Sequence, residues 1–214
     1  GVTNLPYNPD IDVREYIYLE GIMEQYQLGP NGALIVAADL LGDNIEEIRD
    51  SLDEIEPDIV LVDTPGQIEL FALRESGPFI VNEITRCPKA VVYLFDGPFS
   101  STPMNYVSNL YLAAAVHTRL LKPQAYVLTK IDLLTKEQLQ ETLGWARSPS
   151  RLFDALEKIP NKTASLIGRD FSKAIFRTNL NFDMIPVAAK DDRGFVDLNA
   201  VLTRILTGGE ELRP

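Results

Sequence analysis

Asp63-Thr64-Pro65-Gly66-Gln67 sets in a row the residue types that can manage a phosphate and a divalent cation. The stretch follows Asp58-Ile59-Val60-Leu61-Val62, an apolar, β-branched run that predicts a buried strand over 58–63. A carboxylate at the end of such a strand can hold Mg²⁺ through water. The Gly66 N–H can approach a terminal phosphate, and Gln67 sits where an attacking water would be.

A second group, Thr129-Lys130-Ile131-Asp132, follows the apolar run Tyr126-Val127-Leu128. A carboxylate there can accept two hydrogen bonds from the N1–H and N2–H₂ edge of guanine, an edge adenine does not offer. The Lys130 stem can cover the base and its sugar. Mispairing would leave buried polar groups unsatisfied, so Asp132 would discriminate strongly. The plainer reading of the four residues is a polar turn with a helix cap. A third group, Val187-Ala188-Ala189-Lys190, also ends an apolar run. Its small residues let backbone N–H groups reach the O6 of guanine.

The elements that must position these groups are legible in outline. Residues 1–10 carry Pro6, Asn8 and Pro9 and read as loop. Asp10 or Asp12 could cap a helix whose apolar residues Val13, Ile17, Ile22, Met23 and Tyr26 recur at helical spacing. Leu28-Gly29-Pro30-Asn31-Gly32 is a cluster of breakers that ends it, and a second helix is predicted over roughly 33–52. Further helices are predicted over 67–86, disturbed at Gly77-Pro78, from Ser101 or Thr102 to about Leu121, and over 196–206. Strands are predicted over 58–63, 89–96, 124–129 and 184–188. Residues 135–178 are charged and helix-rich, with breaks at Gly144, Pro149, Pro160 and Gly168, and read as a helical insertion or lid. The tail from Gly208 reads as disordered. Apolar strands alternating with helices predict an α/β fold with a parallel sheet covered on both faces. Ligands of such sheets sit beyond the carboxyl ends of the strands. The four predicted strands end at Asp63-Thr64-Pro65-Gly66, Asp96-Gly97, Thr129-Lys130-Ile131-Asp132 and Ala188-Ala189-Lys190.

Composition narrows the function classes. The chain has 214 residues, a formal charge of −11 and 45% apolar residues, which fits one domain spanning 1–214 with a full core. The acidic balance argues against direct nucleic-acid binding over a broad face. It leaves room for one nucleotide held by a few backbone N–H groups and a cation. Cys87 and His117 are the only residues of their types. A zinc site built from them is excluded by count, no internal disulfide can form, and a cytoplasmic, reducing setting is expected. His117 lies among Ala113, Ala114, Ala115 and Val116 in a predicted helix, a structural position. No apolar run reaches the ~20 residues that span a bilayer, so no membrane partner is expected.

These motifs, in this order, resemble the P-loop GTPases, and one branch closely: the GPN-loop GTPases. The resemblance is carried by Gly29-Pro30-Asn31, with Ile11-Asp12-Val13-Arg14-Glu15 before it and Asp63-Thr64-Pro65-Gly66-Gln67-Ile68-Glu69 and Thr129-Lys130-Ile131-Asp132 after it. It runs over nearly the whole chain. It implies a G-domain, three-layer parallel-sheet fold and Mg²⁺-dependent hydrolysis of GTP to GDP and phosphate. It further implies a homodimer in which the Gly29-Pro30-Asn31 loop of one subunit enters the partner's phosphate site, with output as a switch on client proteins. Asn31 would then supply an amide to the γ-phosphate or the attacking water. Asp12 would bind Mg²⁺-linked water or act as a base, and Asp63 would hold the metal. Gln67 and Glu69 would orient water. Gly29, Pro30, Asn31, Gly66, Thr129, Lys130, Asp132, Ala188, Ala189 and Lys190 would contact the nucleotide. Arg14 is either a phosphate contact or an ion-pair partner of Glu15 or Asp10.

The sequence departs from that pattern in two places. No G-x-x-x-x-G-K-[ST] occurs in the 214 residues. The resemblance therefore implies a further ~30–50 residues upstream, on the scale of a βαβ unit. Thr129 stands where the family usually has Asn, keeping a side-chain hydroxyl. Two other functions use the same motifs: a nucleotide-gated assembly factor with little turnover, and an ATPase of similar fold, against which Asp132 argues.

Overall fold

The computed structural model describes residues 5–178 and 182–208. The chain divides between Cys87 and Pro88 into two compact units.

The first unit is helical. A short 3₁₀ turn, Val13–Glu15, is capped by Asp12, whose side chain accepts from the Arg14 N–H. Helix α1 spans Leu19–Tyr26 and closes on a left-handed Gln27. Helix α2 spans Pro30–Asp43, with Gly29 as its N-cap. Gly29-Pro30-Asn31 thus opens a helix, where the run of breakers predicted only the end of one. Proline has no N–H to lose at the first helical position, and its fixed φ suits that position. Helix α3 (Ile45–Ile55) follows α2 after a break at Asn44, so the single helix predicted over 33–52 is two. Helices α4 (Ile68–Phe71) and α5 (Ser76–Glu83) replace the one predicted over 67–86. Ile45, Phe71 and Ile80 form the small core of this unit, with Leu41, Val81 and Ile84 packed on it. At Gly77 an added Cβ would lie 2.0 Å from the Phe71 carbonyl, so only glycine lets α5 come this close to α4.

Residues 58–63 do not form the predicted strand. Ile59, Val60, Leu61 and Val62 are exposed, Leu61 at 88%. β-branched residues favour extended backbone, but a strand exists only through a ladder of inter-strand hydrogen bonds. Among the described residues this segment has no strand partner.

The second unit holds a three-stranded parallel sheet of order β1-β2-β3. The strands are β1 (Val91–Asp96), β2 (Gln124–Thr129) and β3 (Met184–Pro186). Helices α6 (Gly97–Ser100) and α7 (Pro103–Leu120) lie between β1 and β2. Helices α8 (Lys136–Arg147), α9 (Pro149–Glu157) and α10 (Lys162–Phe176) fill the predicted insertion, and α11 (Phe195–Leu206) closes the unit. Gly144 and Gly168 lie inside α8 and α10 and do not break them. Gly168 has a packing reason: a Cβ there would come within 2.8 Å of both Leu156 and Met104. Pro149 is the first residue of α9, and a capping box at Thr135 and Gln138 opens α8.

Alternation along β1 decides which face is covered. Tyr93 and Phe95 point into a core with Tyr106, Tyr126 and Trp145, and their rings meet mostly edge to face at 5.2–6.3 Å. On the opposite face Val127, Ile185 and Val187 pack under Leu198 and Val201 of α11. His117 lies in α7, as its apolar surroundings predict. Among the described residues, no helix is long and apolar enough to cross a membrane.

Candidate functional site

The sheet carries one set of predicted residues along its carboxyl edge. Asp96 ends β1 and pairs in register with Thr129, which ends β2. The Thr129 hydroxyl donates to the Phe95 carbonyl at 3.0 Å, tying the two strand ends together. Lys130 follows with a left-handed φ of 55°, turning the chain out of the strand into a 3₁₀ turn, Ile131–Leu133. Asp132 sits half-buried in that turn.

The third motif lies beside it. Val187 N–H donates to the Leu128 carbonyl at 2.8 Å, and Ile131 N–H donates to the Val187 carbonyl at 3.4 Å. Ala188 is fully buried, and its N–H is consumed by the Arg193 carbonyl at 3.1 Å. A 3₁₀ turn, Ala189–Asp191, starts at the next residue. The first N–H groups of a helical turn have no partner within it, so Ala189 and Lys190 are the donors this loop offers. The predicted backbone contact to a base therefore falls on Ala189 and Lys190 more readily than on Ala188.

Lys130 is not a loose side chain. Its Nζ lies 2.7 Å from Asp96 Oδ2, and Asp96 Oδ1 accepts from the Phe99 N–H at 3.0 Å. The Lys130 hydrogen bond, and then the Phe99 N–H, hold the Asp96 carboxyl below its ordinary value. The same pairing holds the Lys130 ammonium above its own. Gly97 makes this crowding possible, since a Cβ there would lie 2.4 Å from the Thr129 carbonyl oxygen.

The first unit carries the phosphate-side set. Asp63 is exposed and accepts from the Tyr7 hydroxyl at 2.5 Å. That donation, with desolvation second, holds the Tyr7 phenol above its ordinary value. Tyr7, Asp12 and Arg14 line one open groove of about 470 Å³ with Leu5, Asn8 and Pro9. Arg14 Nε reaches both carboxylate oxygens of Asp12, at 2.8 and 2.9 Å. Arg14 thus pairs with Asp12, a partner outside the two readings offered for it, a phosphate contact or an ion pair with Glu15 or Asp10. The pairing holds Asp12 below its ordinary value. A cation at Asp12 would have to share or displace that guanidinium.

Asn31 is the second residue of α2, and Gly29 and Pro30 stand exposed before it. Gln67 Nε2 donates to Asn31 Oδ1 at 3.3 Å within the same chain. Two amides predicted to act at the phosphate thus already meet, leaving the Asn31 NH₂ and the Gln67 carbonyl oxygen for other partners. Gly66 is exposed, and an added Cβ there would meet nothing within 4 Å. Glu69 belongs to α4, but its side chain lies outside the described residues. Among the described residues, no three His, Cys, Asp or Glu side chains cluster closely enough to form a metal cage. Mg²⁺ at a nucleotide needs no such cage: one or two carboxylates suffice beside phosphate oxygens and water. Asp63, a hard oxygen donor, fits that chemistry.

Two residues went unassigned in the sequence. Tyr7 is 56 positions from Asp63, a separation that carries no local signal. Asp96 gave one usable hint: it is an acid closing an otherwise apolar strand at the edge where ligands bind.

Comparison with known proteins adds an independent line. A family model described as "Conserved hypothetical ATP binding protein" matches residues 1–208. The GPN-loop GTPase QQT2 of Arabidopsis thaliana is 28% identical over 196 residues, covering 90% of this chain and 51% of the relative. The GPN-loop GTPase PAB0955 of Pyrococcus abyssi is 36% identical over 140 residues, 64% of this chain and 55% of the relative. The crystal structure of PAB0955, a GTPase in apo form, superposes with a TM-score of 0.81 at 29% identity, covering 95% of this chain and 82% of that one. The chain spans about half the length of these curated relatives.

Proposed function

Because the chain belongs to the GPN-loop GTPase family, we propose that it serves a protein that binds GTP with Mg²⁺ and hydrolyses it to GDP and phosphate. The observation that carries this reading is the carboxyl edge of the sheet. Lys130 and Asp132 stand there beside the Ala189 and Lys190 N–H donors, held together by the Val187–Leu128 and Ile131–Val187 hydrogen bonds. A carboxylate for the N1/N2 edge, N–H donors for O6 and an apolar stem over the ring are the complement of guanine. The matched family description speaks of ATP. Adenine has no paired donors for Asp132 and would leave its carboxylate desolvated and unsatisfied, and this chemistry favours guanine.

At the phosphate end the residues of this chain position and neutralise. Gly66, exposed and with open space where a side chain would stand, would offer its backbone N–H to the terminal phosphate. Gln67 orients water through its carbonyl oxygen, and its amide steers Asn31. Glu69 and Asp12 are the carboxylates nearest this role in the sequence. When bound, Mg²⁺ supplies charge neutralisation at the phosphates, and Asp63 would hold it, oriented by Tyr7. In a homodimer, the exposed Gly29-Pro30-Asn31 turn would serve the partner's phosphate site, and α8–α10 would act as a lid that signals to clients.

The test is nucleotide preference and single-turnover cleavage by the full-length protein. GTP should bind at least ~100-fold tighter than ATP, since unpaired buried polar groups are costly. Asn31→Ala should slow GTP cleavage while leaving GDP affinity in place. ATP bound as tightly as GTP would refute the base reading. Equal cleavage rates would remove Asn31 from catalysis and favour a binding-driven assembly factor.

A further inference from the structure

We infer that Asp96 is a positioning residue of the base site: it anchors the Lys130 ammonium so that the Lys130 stem lies fixed along the carboxyl edge of the sheet as one wall of the purine pocket. The inference rests on the proposed reading of Asp132 as the guanine acceptor. Asp96 ends β1, and Lys130 follows the last residue of the neighbouring β2. With Nζ 2.7 Å from Asp96 Oδ2, the lysine side chain runs from one strand end to the next. Its four methylenes are then held between two fixed points, and they present an apolar surface two residues from Asp132. A free lysine would lose its rotamer freedom only when the base arrived, and binding would be weaker for it.

The anchor is itself built in. Asp96 Oδ1 caps α6 through the Phe99 N–H, so the carboxylate cannot swing away without uncapping the helix. The left-handed backbone at Lys130 and the close approach of Gly97 to the Thr129 carbonyl fix the other end. An exposed ion pair of ordinary kind contributes little to stability. Were that all this pair did, removing it would leave nucleotide binding unchanged.

Calorimetric titration of the full-length protein with GDP and with inosine diphosphate, which lacks the N2 amino group, tests the anchor. Asp96→Asn keeps an oxygen for the Phe99 N–H and removes the charge. Lys130→Met keeps an apolar stem and removes the ammonium. Each single change should weaken GDP and inosine diphosphate alike, by about three- to tenfold, and the double variant should be no weaker than either. Asp132→Asn should instead lower the preference for GDP over inosine diphosphate. Unchanged affinity in Asp96→Asn, or losses that multiply in the double variant, would overturn the anchor. So would an Asp96→Asn variant that loses GDP more than inosine diphosphate, because the Asp132 turn itself would then have moved. If Asp132→Asn leaves the ratio of the two ligands unchanged, the base-site reading fails, and the anchor fails with it.

Discussion

Gly97→Ala is the sharpest mechanical probe of the base-side loops. A Cβ at Gly97 would sit 2.4 Å from the Thr129 carbonyl oxygen, 3.3 Å from Leu134 Cδ1 and 3.5 Å from the Lys130 carbonyl oxygen. Carbon and carbonyl oxygen meet comfortably at about 3.3 Å, so the two backbones must part by roughly 1 Å. Neither yields easily. Thr129 is the last residue of β2, paired with Asp96, and Leu128 before it holds Val187 through a 2.8 Å hydrogen bond. Forced overpacking of this kind costs about 1–3 kcal/mol. In a chain of this size each kcal/mol lowers the melting temperature by roughly 2–4 °C. The displacement also falls directly on Lys130 and Asp132, the residues proposed to hold the base, and a shift of about 1 Å in such a group can cost up to ~100-fold. Calorimetric melting and GDP titration of Gly97→Ala should therefore show both a lowered midpoint and weakened GDP. Gly66→Ala, whose added Cβ meets nothing within 4 Å, should melt as wild type and serve as the control. A Gly97→Ala protein with wild-type melting and wild-type GDP affinity would refute the claim that this contact sets the loop.

Further outcomes follow from other parts of the molecule. Gly66→Ala should bind GDP normally yet lose preference for GTP, measured as the ratio of their dissociation constants, because a side chain would crowd the N–H proposed to meet the terminal phosphate. Tyr106 is fully buried, and its hydroxyl has no hydrogen-bond partner among the described residues. Tyr106→Phe should therefore be neutral or stabilising by up to about 1 kcal/mol in urea unfolding, and a clear loss would mean that the hydroxyl is satisfied. Burial raises the Tyr93 phenol to about 12 and lifts Tyr106 in the same direction. These groups keep their protons in the folded state after the unfolded chain begins to release them near pH 10. Stability is thus full below about pH 10 and falls as the pH climbs towards 12, by up to roughly 2–3 kcal/mol for Tyr93. A urea midpoint that stays flat from pH 9 to 11.5 would contradict that burial.

Local chemistry made much of the fold legible. β1 and β2 are apolar runs of strand length that end at Asp96 and Thr129. The start of α7 at Thr102 and the break at Pro149, where α9 begins, are equally local. What misled was context. Glycine reads as a breaker, yet Gly168 lies mid-helix because neighbouring side chains leave no room for a Cβ. Pro30 reads as a stop, yet it starts α2. Residues 58–63 have the composition of a strand but, among the described residues, no ladder, and propensity cannot supply a partner.

The same division runs through the candidate site, whose residue types are legible in the sequence while the contacts between them are not. Asp63, Gln67, Lys130 and Asp132 announce themselves because each follows an apolar run and carries a group that a nucleotide can use. The residues that hold them in place do not, because they act across sequence. Tyr7 reaches Asp63 over 56 positions, Gln67 reaches Asn31 over 36 and Lys130 reaches Asp96 over 34. A carboxylate, an amide and an ammonium that stand far from their partners in sequence are thus already oriented by them. Orientation before binding removes the entropy that binding would otherwise cost. Candidate ligand-binding residues can therefore be proposed one at a time, whereas the groups that orient them become visible only in pairs, after the chain has folded.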